Sequence, residues 1–345
     1  MIISKTPFRV SFFGGGTDYP AWFRENGGSV LAASIDKYCY ISLRHLPPFF
    51  DHKHRIVYSS IELVNDPSEV KHPVVRALLS QMDSTLGYEI HHAGDLPARS
   101  GLGSSSAFTV GLLHALQAQE GRMMSVQKLA GEAIRIEQEV LRENVGCQDQ
   151  ISVAHGGFNR IDFHRDGSFA VRPVILPARR RQELEQSTML FFTGFSRFAS
   201  VVAKKQIDNF PNRRTELTAM GQMVDEALSI LQSPTASIDE FGRLLHESWK
   251  LKRGLAAEVS SPEIDAIYEA GMAAGASGGK LLGAGGGGFV MFIVRPDLRD
   301  AVRARLKNLI HVGIGFETGG SRIVVYEPPG LEDYEDRPLS PISTA

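Results

Sequence analysis

Residues 97–107 read Pro97-Ala98-Arg99-Ser100-Gly101-Leu102-Gly103-Ser104-Ser105-Ser106-Ala107. Gly101 and Gly103 lack a Cβ, so the backbone can turn tightly there and approach another group closely. Three hydroxyls follow, and Ala107–Leu116 then reads as a mostly apolar helix. A glycine and serine loop that opens a helix presents free backbone N–H groups at the positive end of the helix dipole, which suits a phosphate. A serine in such a loop also offers an oxygen to Mg²⁺, a hard cation that prefers oxygen ligands. The same residues would serve as a capped turn before a core helix, since serine is a common N-cap. The rest of the chain has to decide between the two.

The 345 residues suffice for two domains with sizeable cores. Hydrophobic residues make up 43% and charged residues 22%, as in an ordinary globular protein. A formal net charge of -2 favours neither nucleic acid nor an anionic membrane surface as a partner. The basic run Arg179-Arg180-Arg181 lies beside Glu183 and Glu185 and reads as a solvated face. Cys39 and Cys147 have neither CxxC nor zinc-type spacing, so a disulfide framework is not expected. No secretory leader and no bilayer-length apolar run are evident, and a cytoplasmic protein is expected. Composition leaves the oligomeric state open.

Strands are expected near Arg9–Phe13, Tyr38–Leu43 and Glu89–His92, and helices at Val74–Met82, Ala107–Gln119 and Val126–Glu143. Beyond Pro177 come a strand at Met189–Thr193, helices at Thr215–Leu231, Ile238–Leu251 and Pro262–Ala274, and a strand at Gly288–Val294. A helix at Leu298–Leu309 and a strand at Arg322–Tyr326 follow. Segregated mixing of this kind indicates an α+β chain of two units rather than a repeating βαβ array. The boundary falls between Asp166 and Arg181, giving 1–175 and 176–327, with a proline- and acid-rich tail at 328–345.

Three further constellations carry chemistry. Lys280–Val294 reads KLLGAGGGGFVMFIV. Consecutive glycines weaken regular structure, so Gly285–Gly288 need a reason, such as close approach to a ligand or to the other glycine loop. Gly283, Gly285 and Gly288 match GxGxxG, but a strand follows them where a dinucleotide site needs a helix. Lys280 is followed by Leu281, so a Walker A loop is absent too. At Arg9–Pro20, RVSFFGGGTDYP delivers Thr17 and Asp18 on a glycine turn, where Asp18 either accepts from sugar hydroxyls or closes an Asx-type turn. In the helix Val126–Glu143, Lys128, Glu132, Arg135, Glu139, Arg142 and Glu143 share a polar side. Glu137 falls opposite them among Ala130, Ala133, Ile134, Ile136, Val140 and Leu141. A charge on that stripe must be paired, protonated or bound to a metal. Asp149 follows in ENVGCQDQ and supplies a second acid.

Taken together, RVSFFGGGTDY, PARSGLGSSSA, Glu137 with GCQDQ, and KLLGAGGGG resemble the GHMP kinases over about residues 5–326. The resemblance implies an N-terminal α/β domain packed on a ferredoxin-like C-terminal domain, with the site between them. It implies ATP bound by Gly101, Leu102, Gly103, Ser104, Ser105 and Ser106, and Mg²⁺ held by one of the serines, taken as Ser105, with Glu137. Asp149 would be the catalytic base and Arg9 its basic partner, whose charge favours the carboxylate. Gly15, Gly16, Thr17, Asp18, Gly285 and Gly286 would lie at the substrate, and Gly283–Gly288 would buttress the phosphate loop. FFGGGTDYP is most similar to the branch that phosphorylates D-glycero-D-manno-heptose 7-phosphate at O1, for nucleotide-heptose and surface-polysaccharide supply. Galactokinases usually carry Glu and His where this chain has Gly15 and Gly16, which argues against galactose and opens space for a longer, phosphorylated sugar. For that sugar's own phosphate, Arg197 is the first candidate, ahead of Lys204 and Lys205. The partners expected are therefore a sugar phosphate and ATP. An unphosphorylated galactose- or fucose-like substrate and a catalytically silent sugar or nucleotide sensor are the alternatives.

Overall fold

The computed structural model describes residues 1–82, 86–195 and 199–327. The tail at 328–345 and Arg197 lie outside these residues.

Two strands set the frame. β1 (Ile2–Phe13) leads through α1 (Pro20–Asn26) into β2 (Gly28–Leu46), and the two pair antiparallel along most of their length. Only the Tyr38–Leu43 part of β2 reads as a strand in the sequence. The strand actually starts at Gly28, because Val30–Ile35 is an apolar stretch buried on both faces, without the alternation of a half-exposed strand. β3 (His54–Val57), β4 (Ile61–Val64), α2 (Pro73–Leu79) and β5 (Gly87–Gly94) complete one flank. α3 (Ser104–Gln119) and α4 (Val126–Arg135) pack behind the sheet, followed by α5 (Gln148–His155), β6 (Phe158–Phe163) and β7 (Phe169–Pro173). Where one helix was expected to run to Glu143, α4 gives way to a π-helical turn at Ile136–Val140, closed by Leu141 N–H donating to the Ile136 carbonyl at 2.9 Å. Such single wide turns often mark functional sites.

The second unit runs α6 (Ala178–Ser187), β8 (Thr188–Phe192), α7 (Ala199–Asn209), α8 (Arg214–Gln232), α9 (Ile238–Arg253), α10 (Pro262–Ala273), β9 (Gly278–Leu281), β10 (Phe289–Ile293), α11 (Arg299–Arg305) and β11 (Ile310–Val312). Its antiparallel sheet has the order β11-β8-β10-β9, the ferredoxin-like arrangement. The last strand, β12 (Arg322–Tyr326), returns to pair with β1. The chain thus closes the first sheet with a strand that a cut at residue 176 assigns to the second unit. The first sheet accordingly runs β12-β1-β2-β5-β3-β4, with β6 on β2 and β7 on β6.

Ser237 and Glu240 form a capping box at the start of α9, and Ser261 caps α10 ahead of Pro262. Arg180 is not part of a solvated face: its guanidinium donates to the carbonyls of Ile230 and Leu231, two of the unpaired acceptors at the end of α8. Where the units meet, Phe12 lies edge-on to Phe158, Phe241 and Phe316, with ring centroids 5.8, 5.5 and 6.2 Å away. Such T-shaped pairs add to the burial of each ring. Phe12→Ala is expected to destabilise the fold by about 3–5 kcal/mol, which denaturant unfolding would measure; a loss under about 1 kcal/mol would mean that this junction is not a core.

Candidate active site

Arg9 organises the site. Its side chain is 2% exposed, and a buried guanidinium has to find partners. Nε and Nη2 donate to Asp149 Oδ1 at 2.8 and 2.6 Å, and Nη1 donates to the Gly101 carbonyl at 2.7 Å. Its backbone N–H donates to the Leu102 carbonyl at 3.0 Å. One residue of β1 therefore fixes both the loop before α3 and the first turn of α5. Asp149 keeps 29% of its side chain exposed, so the carboxylate is anchored at one oxygen and open to solvent.

Gly103 caps α3 in the left-handed region, at φ 74°, and a Cβ there would sit 3.2 Å from Arg9 Cγ. The N–H groups of Ser104, Ser105 and Ser106 open the helix and have no carbonyl four residues back to bond. Leu102 is fully buried beneath them. The Ser104 hydroxyl accepts from Arg99 N–H at 3.1 Å. A backbone cradle at a helix N-terminus, beside an Arg–Asp pair, suits a phosphate.

Glu137 is 2% exposed, as its place on the apolar stripe implies. Burial pushes its carboxyl up to about 7, against the pull of hydrogen bonds that include those from Gln150 and Ser106. Ser106 Oγ donates to Glu137 Oε2 at 3.0 Å, and Oε1 has no hydrogen-bond partner among the described residues. The serine beside Glu137 is therefore Ser106. Ser105, expected to be the ligand, is exposed one position earlier, because side chains one residue apart on a helix do not face the same way. The unpartnered Oε1, with a hydroxyl alongside, fits a hard cation. Among the described residues no group of three or more His, Cys, Asp or Glu could hold a metal alone. Mg²⁺ needs no such cage when phosphate oxygens and water fill its shell.

The N-terminal glycine turn lies beside these groups. A Cβ on Gly15 would be 3.5 Å from Gln148 Nε2, next to Asp149, whereas Gly16 faces Leu217. Thr17 is 1% exposed and its hydroxyl bonds the backbone of Gly14 and Ser29, so it fastens the turn instead of facing a ligand. Asp18 is equally buried: Oδ1 accepts from Gly16 N–H at 2.9 Å and Oδ2 from Gln148 N–H at 3.4 Å. Burial raises its carboxyl above the ordinary carboxylate value. In this conformation it holds the turn against α5.

The second glycine run packs on the first. A Cβ on Gly283 would sit 2.6 Å from Gly101 Cα, one on Gly101 would meet the Leu282 carbonyl at 2.5 Å, and one on Gly288 the Ser100 carbonyl at 2.3 Å. Close approach of the two loops is therefore the reason for these glycines. Gly285 packs on Val259, and Gly286 N–H donates to the Val259 carbonyl at 3.0 Å, so these two are held to the second unit. Lys204 pairs with Asp208 on an exposed face of α7, and Lys205 is exposed too. Sequence reasoning missed two buried cations, Lys252 and Lys280, which are 5% and 2% exposed. The signal was present: Lys252 follows Leu245 and Trp249 at helical spacing, on the apolar face of α9. A separate cavity of about 620 Å³ lies beyond the far end of α5, among His155, Phe169 and Leu176, and no candidate residue lines it. No helix among the described residues is long and apolar enough to cross a membrane.

The chain is 29% identical over 305 residues to the D-glycero-alpha-D-manno-heptose 7-phosphate kinase of Campylobacter jejuni, covering 86% of this chain and 90% of that one. It is 27% identical over 329 residues to the bifunctional fucokinase/GDP-fucose pyrophosphorylase of Arabidopsis thaliana, covering 87% of this chain but only 30% of that longer protein. In fold it matches the crystal structure of a D-glycero-D-manno-heptose 1-phosphate kinase from Bacteroides thetaiotaomicron with a TM-score of 0.76, at 24% identity over 93% of this chain and 98% of that one. The model of the GHMP kinases N terminal domain matches residues 69–157, from ahead of α2 through the Gly101–Ser106 loop and Asp149. That of the GHMP kinases C terminal matches 226–311, from α8 through β11. With both halves matched in order and joined at the two glycine loops, the chain belongs to the GHMP kinase family.

Proposed function

We propose that the protein is an ATP- and Mg²⁺-dependent sugar 1-kinase of the cytoplasm that converts D-glycero-D-manno-heptose 7-phosphate to the 1,7-bisphosphate, for nucleotide-heptose and surface-polysaccharide synthesis. The observation that carries the reaction class is Asp149, anchored by Arg9 at one oxygen and open at the other side, beside the cradle Gly101–Ser106. The likeness to the Campylobacter kinase over most of both chains supports the substrate. Gly15, without a side chain, leaves room beside Gln148. The fucokinase likeness favours an unphosphorylated sugar as the second reading.

In this mechanism the N–H groups at the start of α3 bind the nucleotide phosphates. Glu137 and Ser106 would hold Mg²⁺, which supplies neutralisation of phosphate charge when bound. Asp149 orients the anomeric hydroxyl and takes its proton as the sugar oxygen bonds to the γ-phosphorus, while the bond from that phosphorus to the β-phosphate bridging oxygen breaks and ADP leaves. Arg9 keeps the Asp149 carboxylate aimed. Positioning and charge neutralisation provide most of the rate in such transfers.

ADP release with D-glycero-D-manno-heptose 7-phosphate, mannose, galactose and fucose, with phosphorus NMR of any product, tests the proposal. Preference for the heptose 7-phosphate and a new anomeric phosphate signal are expected; turnover only with an unphosphorylated sugar would replace the substrate and keep the reaction. Asp149→Asn should lower turnover by at least about 10²-fold in a folded protein, and near-normal turnover would remove Asp149 from the mechanism.

Glu137→Gln should raise the Mg²⁺ concentration needed for half-maximal activity, and it has a second readout. Because burial lifts the folded carboxyl from 4.5 to about 7, the fold binds this proton more tightly than the unfolded chain does. The stability so gained is complete below pH 4.5 and lost as pH rises through about 7. Without metal, the Gln variant is thus expected to melt above the parent at pH 8, with the gap shrinking in mildly acidic buffer. A gap that does not change with pH would show that burial does not hold this proton.

A further inference from the structure

We propose that Lys252 is a positioning residue through which the second unit fixes the geometry, and adds to the positive charge, of the loop at Gly101–Ser106. The proposal rests on the reading of that loop as a nucleotide phosphate site. Lys252 projects from the last turn of α9 and donates to the Gly283 carbonyl. Gly283 is the residue seated on Gly101, with space for no Cβ between them. Gly101 in turn accepts from Arg9, which holds Asp149. A contiguous chain of contacts thus runs from α9 to the catalytic pair. Gln206 Nε2 bonds the neighbouring Ala284 carbonyl at 2.6 Å, so the loop is fastened on both sides of Gly283–Ala284.

The ammonium has three donors and Gly283 takes one. A buried cation bonded to a neutral carbonyl needs further compensation, which nearby carboxylates or a bound anion can supply. The charged groups acting on Lys252 are Arg9 of β1, Asp18 of the turn after it and Asp149 of α5, with Lys280 of β9 on the remaining side. Lys280 itself donates to the Phe12 carbonyl at 2.9 Å and serves the junction between the units. Burial pushes the Lys280 amine well below its ordinary value and the Asp18 carboxyl above its own, so Lys252 and Arg9 are the cations that would face a phosphate group here. Burial, then the charge of Arg9, lowers the Lys252 amine to about 8, while Asp18 and Asp149 act to raise it.

Two measurements on the full chain test this. In Lys252→Met, backbone hydrogen exchange across 99–106 and 283–288 should quicken, with the rest of the second unit unchanged. This readout does not depend on what the protein phosphorylates, and unchanged exchange in both loops would overturn the positioning role. ADP affinity by calorimetry should fall about tenfold, the equivalent of one lost charge contact, and Lys252→Arg should restore most of it. In the parent protein ADP affinity should decline as pH rises through about 8, where the amine loses its charge. In Lys252→Arg that decline should be absent, because a guanidinium does not titrate there. The same alkaline decline in both proteins, or none in the parent, would overturn the charge role. Should Lys252→Met fail to fold, the pH comparison between the parent and Lys252→Arg decides alone. If the parent binds no ADP, the kinase reading has failed, and the hydrogen-exchange comparison still decides whether Lys252 holds the loops.

Discussion

A buried guanidinium constrains this molecule more than any other single group. Arg9 lies inside β1, the strand shared by the first sheet and the junction with α9. With its side chain almost wholly removed from water, each N–H left unbonded would incur a desolvation cost. Satisfying those donors draws in Asp149 from α5 and the Gly101 carbonyl from the loop ahead of α3. Two segments distant in sequence are thereby fixed on one side chain. A lysine could not do this, because the fork of a guanidinium serves two partners in one plane.

The second constraint is exclusion. Gly101 and Gly283 approach so closely that neither admits a Cβ, and both take positive φ. Side chains at these places would force the two units apart and move the N-terminus of α3 away from the strand that feeds it. The glycine run is thus a fitting surface between two cores, and the ferredoxin-like sheet contributes to the site by pressing a loop into place.

Much of this was legible in the chain. A charge on an apolar helical stripe marks Glu137, and the same rule finds Lys252 once WKLKR is placed on α9. Glycine runs without a regular element to serve announced a close approach. Side-chain direction within the loops was less legible. Ser105 and Ser106 are equivalent as letters, and only the start of α3 decides which one reaches Glu137. Thr17 and Asp18 look like ligands because they are polar and follow glycines, yet the fold uses both to fasten a turn. The π-helical turn at Ile136–Val140 leaves no mark on hydrophobic periodicity, since the apolar positions fit an ordinary helix almost as well. β12 reads as a strand in the sequence, but pairing partners across more than 300 residues are invisible to local patterning.

These features share a logic. Glu137, Asp18 and Lys252 are ionisable groups taken out of water, and in each burial moves the proton equilibrium against the charged form. Arg9 and Asp149 are instead paired with each other at hydrogen-bond distance. The site therefore combines one settled pair with several groups whose charge is costly until something arrives to balance it: a cation for the acid beside Ser106, an anion for the lysine beside Gly283. On the proposed reading, a phosphate chelated to a divalent cation would supply both charges, and its binding would stabilise the fold that carries them.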